Sequence, residues 1–159
     1  MRAMKSATIT CATIRCATLA AALMLAGVSF SVPARADEAA NPWPDGAEAY
    51  IISPADGATV KSPVTVLFGL KGMGVAPAGV SKPKTGHHHL LVDADAPTGE
   101  ELNDPLPADD NHIHFGGGQT QTTIELKPGK HTLQLIMGDA SHVPHAKPLV
   151  SKKITITVE

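Results

Sequence analysis

Short apolar runs separated by glycine and proline fill the chain from residue 49 onward, and no window shows a sustained helical period. The clearest run spans residues 64–70, where Val64, Val66, Phe68 and Leu70 fall on one side of an alternating pattern. A period of two is typical of a strand with one buried face, and the glycine and proline breaks are typical of turns. The pattern therefore argues against a helical domain and predicts an all-β fold.

Seven such runs predict strands, at residues 50–52, 64–70, 88–93, 112–115, 122–126, 131–137 and 150–158. Residues 72–86 and 94–111 predict loops, and the Lys-Pro-Gly-Lys segment at 127–130 predicts a hairpin turn between two strands. This number of short strands in a domain of this length predicts an antiparallel immunoglobulin-like β-sandwich of about seven strands.

The first 36 residues have the features of a secretory signal peptide. Arg2 and Lys5 precede an apolar stretch at 17–30, and small residues at 34 and 36 flank Arg35. The apolar stretch is shorter than the roughly 20 residues that a membrane-spanning helix needs. We therefore predict cleavage after Ala36, a flexible lead-in at 37–48 and a single domain at 49–159. The protein would be periplasmic or secreted, with no membrane attachment after signal removal.

Removal of this segment changes the chemistry of the remaining chain. Both cysteines, Cys11 and Cys16, and all three arginines lie within residues 1–36. The rest of the chain has no thiol, which excludes disulfides, thiolate metal sites and cysteine nucleophiles. It carries nine lysines against 15 acidic residues, a balance that argues against nucleic-acid binding because neutralising phosphates requires clustered basic side chains.

All eight histidines follow residue 36, and all but His131 fall in three short segments, at 87–89, 112–114 and 142–145. Residues two apart in a strand project from the same face. His112 and His114 are therefore predicted to point the same way, and His87 and His89 to share the face opposite His88.

Imidazole is a good ligand for zinc and copper(II), and two rings at alternate strand positions are close enough to share one ion. The histidines therefore predict a transition-metal site, with copper or zinc as the ion and further ligands from a second segment. The candidate ligands are His87, His88, His89, His112, His114, His142 and His145. His131 alternates with apolar residues and is predicted to flank the core.

Two other interpretations fit the same residues. In the first, the histidines form a metal-free, hydrogen-bonded structural cluster, and the 72–86 loop of an interaction module contacts another periplasmic protein. In the second, a metal-assisted hydrolase uses Asp93 or Asp110 as a general base. The sequence contains no nucleophile elbow, zinc-protease motif or phosphate-binding loop, so we predict that the protein is not an enzyme.

Five motifs resemble those of a bacterial family of exported proteins, the domain of unknown function 4399. They are SPADG at 53–57, GMGVAPAG at 72–79, TGHHHLL at 85–91, NHIHFGGGQT at 111–120 and HVPH at 142–145. The family has no established activity, so the resemblance implies an exported, single-domain β-fold but no reaction. The side-chain chemistry then predicts a small exported domain that binds copper(II) or zinc for buffering, delivery or tolerance.

Overall fold

The computed structural model describes residues 43–159, so the predicted signal peptide and residues 37–42 lie outside the described part of the chain. Within it, the secondary structure is nearly all β, which confirms the predicted fold class. The elements are β1 Glu48–Ser53, β2 Thr59–Val60, β3 Val64–Lys71, β4 Gly74–Val75, β5 Thr85–Val92, a 3-10 helix Gly99–Asn103, β6 His112–His114, β7 Gln121–Ile124, β8 Gly129–Gly138 and β9 Ile154–Val158.

The strands form two sheets. A three-stranded antiparallel sheet has the order β1-β3-β7, and a larger sheet has the order β2-β9-β8-β5-β4, with β6 also paired to β5. Alternation buries Val64, Val66 and Phe68 of β3, which pack with Leu135 of β8 and Ile156 of β9 in one apolar cluster. Two sheets that share an alternating apolar core make a β-sandwich, as predicted.

Strand β5 is buried on both faces. Leu90 and Val92 belong to the core between the sheets, whereas Leu91 packs on the other face with Ile136 and with Leu106 of the loop that follows β5. The outer face of the larger sheet is therefore covered by loops instead of facing solvent. This cover also lies over the alternate positions of β5 that carry His87 and His89.

Each of the seven predicted strands overlaps a strand of the structure, and the two extra strands, β2 and β4, are two residues each. The predicted hairpin at 127–130 is wrong. β7 pairs with β3, while β8 pairs with β5 and β9, so the turn carries the chain from one sheet to the other. Turn-forming residues specify a reversal of the chain but not which strands pair across it. No helix among residues 43–159 has the length and apolar character that crossing a bilayer requires.

Candidate metal centre

Strand register brings histidines from three segments to the covered face of the larger sheet. The pairing of β5 with β6 places His89 opposite His114, and His87, two residues before His89, lies on the same face. The pairing of β5 with β8 places His87 opposite Gly138, the last residue of β8. Immediately after Gly138 the chain folds back and brings His142 over the same face.

These residues form a compact group, which we call the four-histidine cluster. Each ring offers one nitrogen, and the four nitrogens lie within 4.8 Å of one another. The six pairs of ring centroids are separated by 4.7 to 5.9 Å. The members are His87, His89, His114 and His142. The prediction that separate histidine segments meet in space is confirmed.

The contacts within the cluster exceed what one imidazole nitrogen can satisfy. Nε2 of His87 lies 3.1 Å from Nδ1 of His142 and 3.1 Å from Nε2 of His89. An imidazole nitrogen carries either one proton or one lone pair, so it cannot form a full hydrogen bond in both directions. A tetrahedral ion bound at about 2.0–2.1 Å separates its ligand atoms by about 3.3–3.4 Å. The two 3.1 Å contacts are close to that value, as expected of nitrogens that can bind the same ion.

Burial favours the neutral form of three members of the cluster. His87 and His89 are 0% and 1% exposed, and His114 is half-buried. Burial lowers the pKa of His87 to about 4 and that of His89 to about 3, with repulsion from the neighbouring rings acting in the same direction. Burial and the nearby His142 also lower the pKa of His114. A metal ligand must be deprotonated, so His87, His89 and His114 are in their binding form at neutral pH.

Several ring nitrogens of the cluster lack partners among the described residues. Nδ1 of His87, Nδ1 of His89 and Nε2 of His114 are buried and make no hydrogen bond there. A buried polar atom without a partner costs about 1–3 kcal/mol. An ion bound at Nε2 of His114 would satisfy that atom. Nδ1 of His87 and Nδ1 of His89 belong to rings whose Nε2 atoms face the cluster, so an ion held there would leave both Nδ1 atoms to other partners.

Two glycines leave room for the rings. A Cβ at Gly116 would lie 2.7 Å from Nε2 of His114, and a Cβ at Gly138 would lie 3.0 Å from Nε2 of His89 and 3.1 Å from Cα of His142. A side chain at either position would displace a member of the cluster. The absence of a side chain at Gly116 thus allows the ring of His114 to lie close to the backbone.

Residues 66–159 match the model of a family described as a domain of unknown function, DUF4399. The chain belongs to this family. The matched range confirms the resemblance for all of the quoted motifs except 53–57, which precedes it, and it contains all four members of the cluster. No curated protein and no solved structure matches the chain.

His88 lies on the opposite face of β5 from the cluster. It is fully buried between the sheets, where its ring packs 5.2 Å from the ring of Phe68. Burial lowers the pKa of His88 to about 4, and the backbone of Gln119 counteracts part of that shift. The alternation of β5 separates this predicted ligand from its neighbours, so His88 acts as a core residue.

His112 and His145 also lie outside the cluster. His112 shares a face with His114, but its Nδ1 lies 2.8 Å from Asp109, and its ring lines a separate cavity of about 330 Å³. Nε2 of His145 lies 2.9 Å from Oδ2 of Asp139. In both cases a ring nitrogen of the histidine is hydrogen-bonded to a carboxylate in a loop.

The ring of His131 also lies outside the cluster and is hydrogen-bonded to other groups. Its Nδ1 lies 2.6 Å from Asp93, and its Nε2 lies 2.8 Å from the carbonyl oxygen of Lys127. The Asp93 hydrogen bond raises the pKa of His131. Asp93, one of the two candidate bases of the hydrolase interpretation, directly follows β5 and stands four residues beyond His89, or about 13 Å at the rise of a strand.

The role of the loop after β8 was not predicted. In this loop Asp139 and Gly138 organise the segment that carries His142. The available signal was the spacing of Asp139, Ser141 and Val143, because an aspartate often accepts hydrogen bonds from backbone N–H groups two and more residues later.

Proposed function

We propose that this protein is an exported metal-binding domain whose four-histidine cluster holds copper(II) or zinc for buffering, delivery or tolerance. The observation that carries the proposal is the convergence of four imidazole nitrogens within 4.8 Å, two of them from fully buried rings. The pattern of residues 1–36 supports export to the periplasm or beyond the cell.

The donor set supports the choice of ion. The cluster offers nitrogen ligands only, and imidazole suits copper(II) and zinc, whereas calcium and magnesium prefer oxygen. For a site with a given set of ligands, copper(II) generally binds more tightly than zinc. We therefore expect one ion per chain, with a lower dissociation constant for copper(II).

The number of ligands supports a role without turnover. Catalytic zinc sites use three protein ligands and keep a fourth position open for water or substrate, whereas structural sites have four protein ligands. Four histidines around one ion fill a tetrahedral site. The proposal therefore assigns holding and release of the ion to this protein and no reaction.

A second candidate follows from the contacts between His87 and its two neighbours in the cluster, both at 3.1 Å. In a metal-free interaction module these contacts are structural hydrogen bonds, and the 72–86 loop contacts a partner protein. Val80 at the tip of that loop is exposed. Metal binding by the purified protein separates the two candidates.

The test uses two alanine variants of the same strand and the same face. Protein purified from the exporting cells without an affinity tag is titrated calorimetrically with copper(II) and with zinc at pH 7. His114→Ala removes a ligand and should weaken binding by more than the 10- to 100-fold that loss of an outer-shell partner typically costs. The matched control His112→Ala removes a histidine two residues away that bonds Asp109 and should bind like the native protein.

Absence of binding by the native protein at micromolar concentrations would favour the metal-free module. Native affinity in the His114→Ala variant would also contradict the proposed ligand set. Native affinity of the His112→Ala variant, together with weakened binding by His114→Ala, would support the cluster as the site.

A further inference from the structure

We propose that Asp139 positions His142 in the metal site and supplies a negative charge that offsets part of the charge of the bound ion. This inference rests on the proposed function, because it concerns the same cluster. Asp139 belongs to the loop after β8 and is not a member of the cluster. Its effect on the ion is exerted through the loop and through its charge.

The carboxylate and backbone of Asp139 fold the loop around His142. Oδ1 of Asp139 accepts hydrogen bonds from the N–H of Ser141 at 2.8 Å and from the N–H of Val143 at 2.9 Å. The N–H of His142 donates to the carbonyl oxygen of Asp139 at 3.0 Å. Three successive N–H groups thus converge on one residue. This turn holds His142 at a φ of 70°, a left-handed conformation that a non-glycine residue adopts only when its surroundings enforce it.

Contacts on the far side of the loop keep the turn in place. Oδ2 of Asp139 lies 2.9 Å from Nε2 of His145, whose ring packs edge-on against Trp43 at 5.9 Å. The indole N–H of Trp43 donates to the carbonyl oxygen of Pro144 at 3.0 Å. Asp139 thus bonds the turn around His142 through Oδ1 and the loop-anchoring side chain of His145 through Oδ2.

The backbone of His142 is also tied to the other loop over the sheet. The N–H of Leu106 donates to the carbonyl oxygen of His142 at 3.0 Å, and Leu106 is itself packed on the covered face of the sheet. His142 is therefore held by the Asp139 turn, by the contacts of His145 and by the loop that carries Leu106, and it has little freedom to move. Such preorganisation of a ligand by surrounding hydrogen bonds typically strengthens metal binding.

The carboxylate of Asp139 has a second role, because the four-histidine cluster itself carries no negative charge. Four neutral imidazoles contribute no negative charge, so a divalent ion among them keeps its full positive charge in a buried site. Oδ1 of Asp139 accepts hydrogen bonds from the residues on both sides of His142, so the negative charge lies next to this ligand. A negative charge beside the site favours a bound cation.

Two substitutions at Asp139 separate these roles. Asp139→Asn keeps an oxygen that can accept the two backbone hydrogen bonds but removes the charge. Asp139→Ala removes both. The matched control is Asp93→Asn, because Asp93 likewise binds a backbone N–H, that of Thr132 at 2.7 Å, and a ring nitrogen of His131 at 2.6 Å, but lies at the other end of β5.

The measurements are copper(II) and zinc affinity by competition titration, the number of nitrogen ligands from the paramagnetic resonance spectrum of the copper(II) form, and urea unfolding of the metal-free proteins. We expect about tenfold weaker binding with four nitrogens in Asp139→Asn and about 100-fold weaker binding with three nitrogens in Asp139→Ala. Asp93→Asn should keep the native affinity and the native spectrum. A residue that only stabilised the fold would change unfolding without changing the spectrum.

Native affinity in Asp139→Asn or in Asp139→Ala would overturn this inference while leaving the four-histidine site in place. If the alanine variant does not fold, Asp139→Asn carries the test alone. Equal weakening in Asp139→Asn and Asp93→Asn would also overturn it, since the effect would then not depend on the place of the carboxylate. Absence of binding by the native protein would refute the proposed function and this inference with it.

Discussion

Acidification should destabilise the metal-free protein steeply, because three adjacent buried histidines are neutral in the fold. His87, His88 and His89 are 0%, 0% and 1% exposed, and their pKa values in the folded state are about 4, 4 and 3, lowered first of all by burial. In the unfolded chain the ordinary value is about 6.5. The unfolded state therefore takes up protons first as the pH falls. The stability is complete above about pH 6.5 and is lost progressively toward pH 4.

The size of the effect follows from proton linkage. Each histidine that is protonated in the unfolded state and neutral in the folded state costs about 1.4 kcal/mol per pH unit. For three histidines the free energy of unfolding should fall by about 5 kcal/mol between pH 7 and pH 5. Small domains have a total stability of about 5–15 kcal/mol. The metal-free protein should therefore approach its unfolding midpoint in mild acid.

Urea unfolding at pH 7, 6 and 5 in the presence of a chelator measures this slope, with circular dichroism and the fluorescence of Trp43 as signals. His88→Leu removes one of the three protons without touching the cluster and should reduce the slope by about one third. A loss of less than about 1 kcal/mol between pH 7 and pH 5 would refute the reasoning, as that is below the contribution of one such histidine. An unchanged slope in His88→Leu would show that its protonation is not linked to unfolding.

Two further predictions concern single positions. Gly116→Ala should weaken metal binding because its Cβ would lie 2.7 Å from Nε2 of His114. In the control Gly117→Ala the new Cβ would meet only the flexible side chain of Gln119, so metal should bind normally. Equal affinities of the two variants in a competition titration would contradict this prediction. His131→Gln should destabilise the protein more at pH 6 than at pH 8, because the Asp93 hydrogen bond raises the pKa of His131 and its stabilisation is lost as the pH rises through that value. Urea unfolding at the two pH values checks the second prediction, and a greater loss at pH 8 would show that the sign is wrong.

The fold class could be predicted from the sequence because the information is local. Alternation in β3 and β8 and the glycine and proline breaks between strands specify strands without any knowledge of their partners. The same alternation places His87 and His89 on one face and His88 on the other. The assignment of strands to sheets could not be predicted, because the turn at 127–130 fits a hairpin as well as a crossing between sheets.

The exact ligand set depends on tertiary contacts that the spacing of histidines does not contain. His112 and His114 are equivalent by alternation, yet only His112 has Asp109 within 2.8 Å of its ring. His142 and His145 lie three residues apart in one loop, and each adopts a left-handed conformation that local sequence does not specify for histidine. Which of them faces the sheet is decided by the hydrogen bonds of Asp139.

The distance along the chain between the members of the cluster has a consequence for folding. His87 and His142, whose ring nitrogens are 3.1 Å apart, are separated by 55 residues in sequence. An ion that joined them would act as a cross-link between a central strand and a loop, in a domain with no cysteine after residue 16. Closing a chain segment of that length with a covalent link restricts the unfolded state by about 4 kcal/mol. The ion would act as a reversible cross-link. The protein would therefore be more stable to unfolding with the ion bound and less stable after the ion is released.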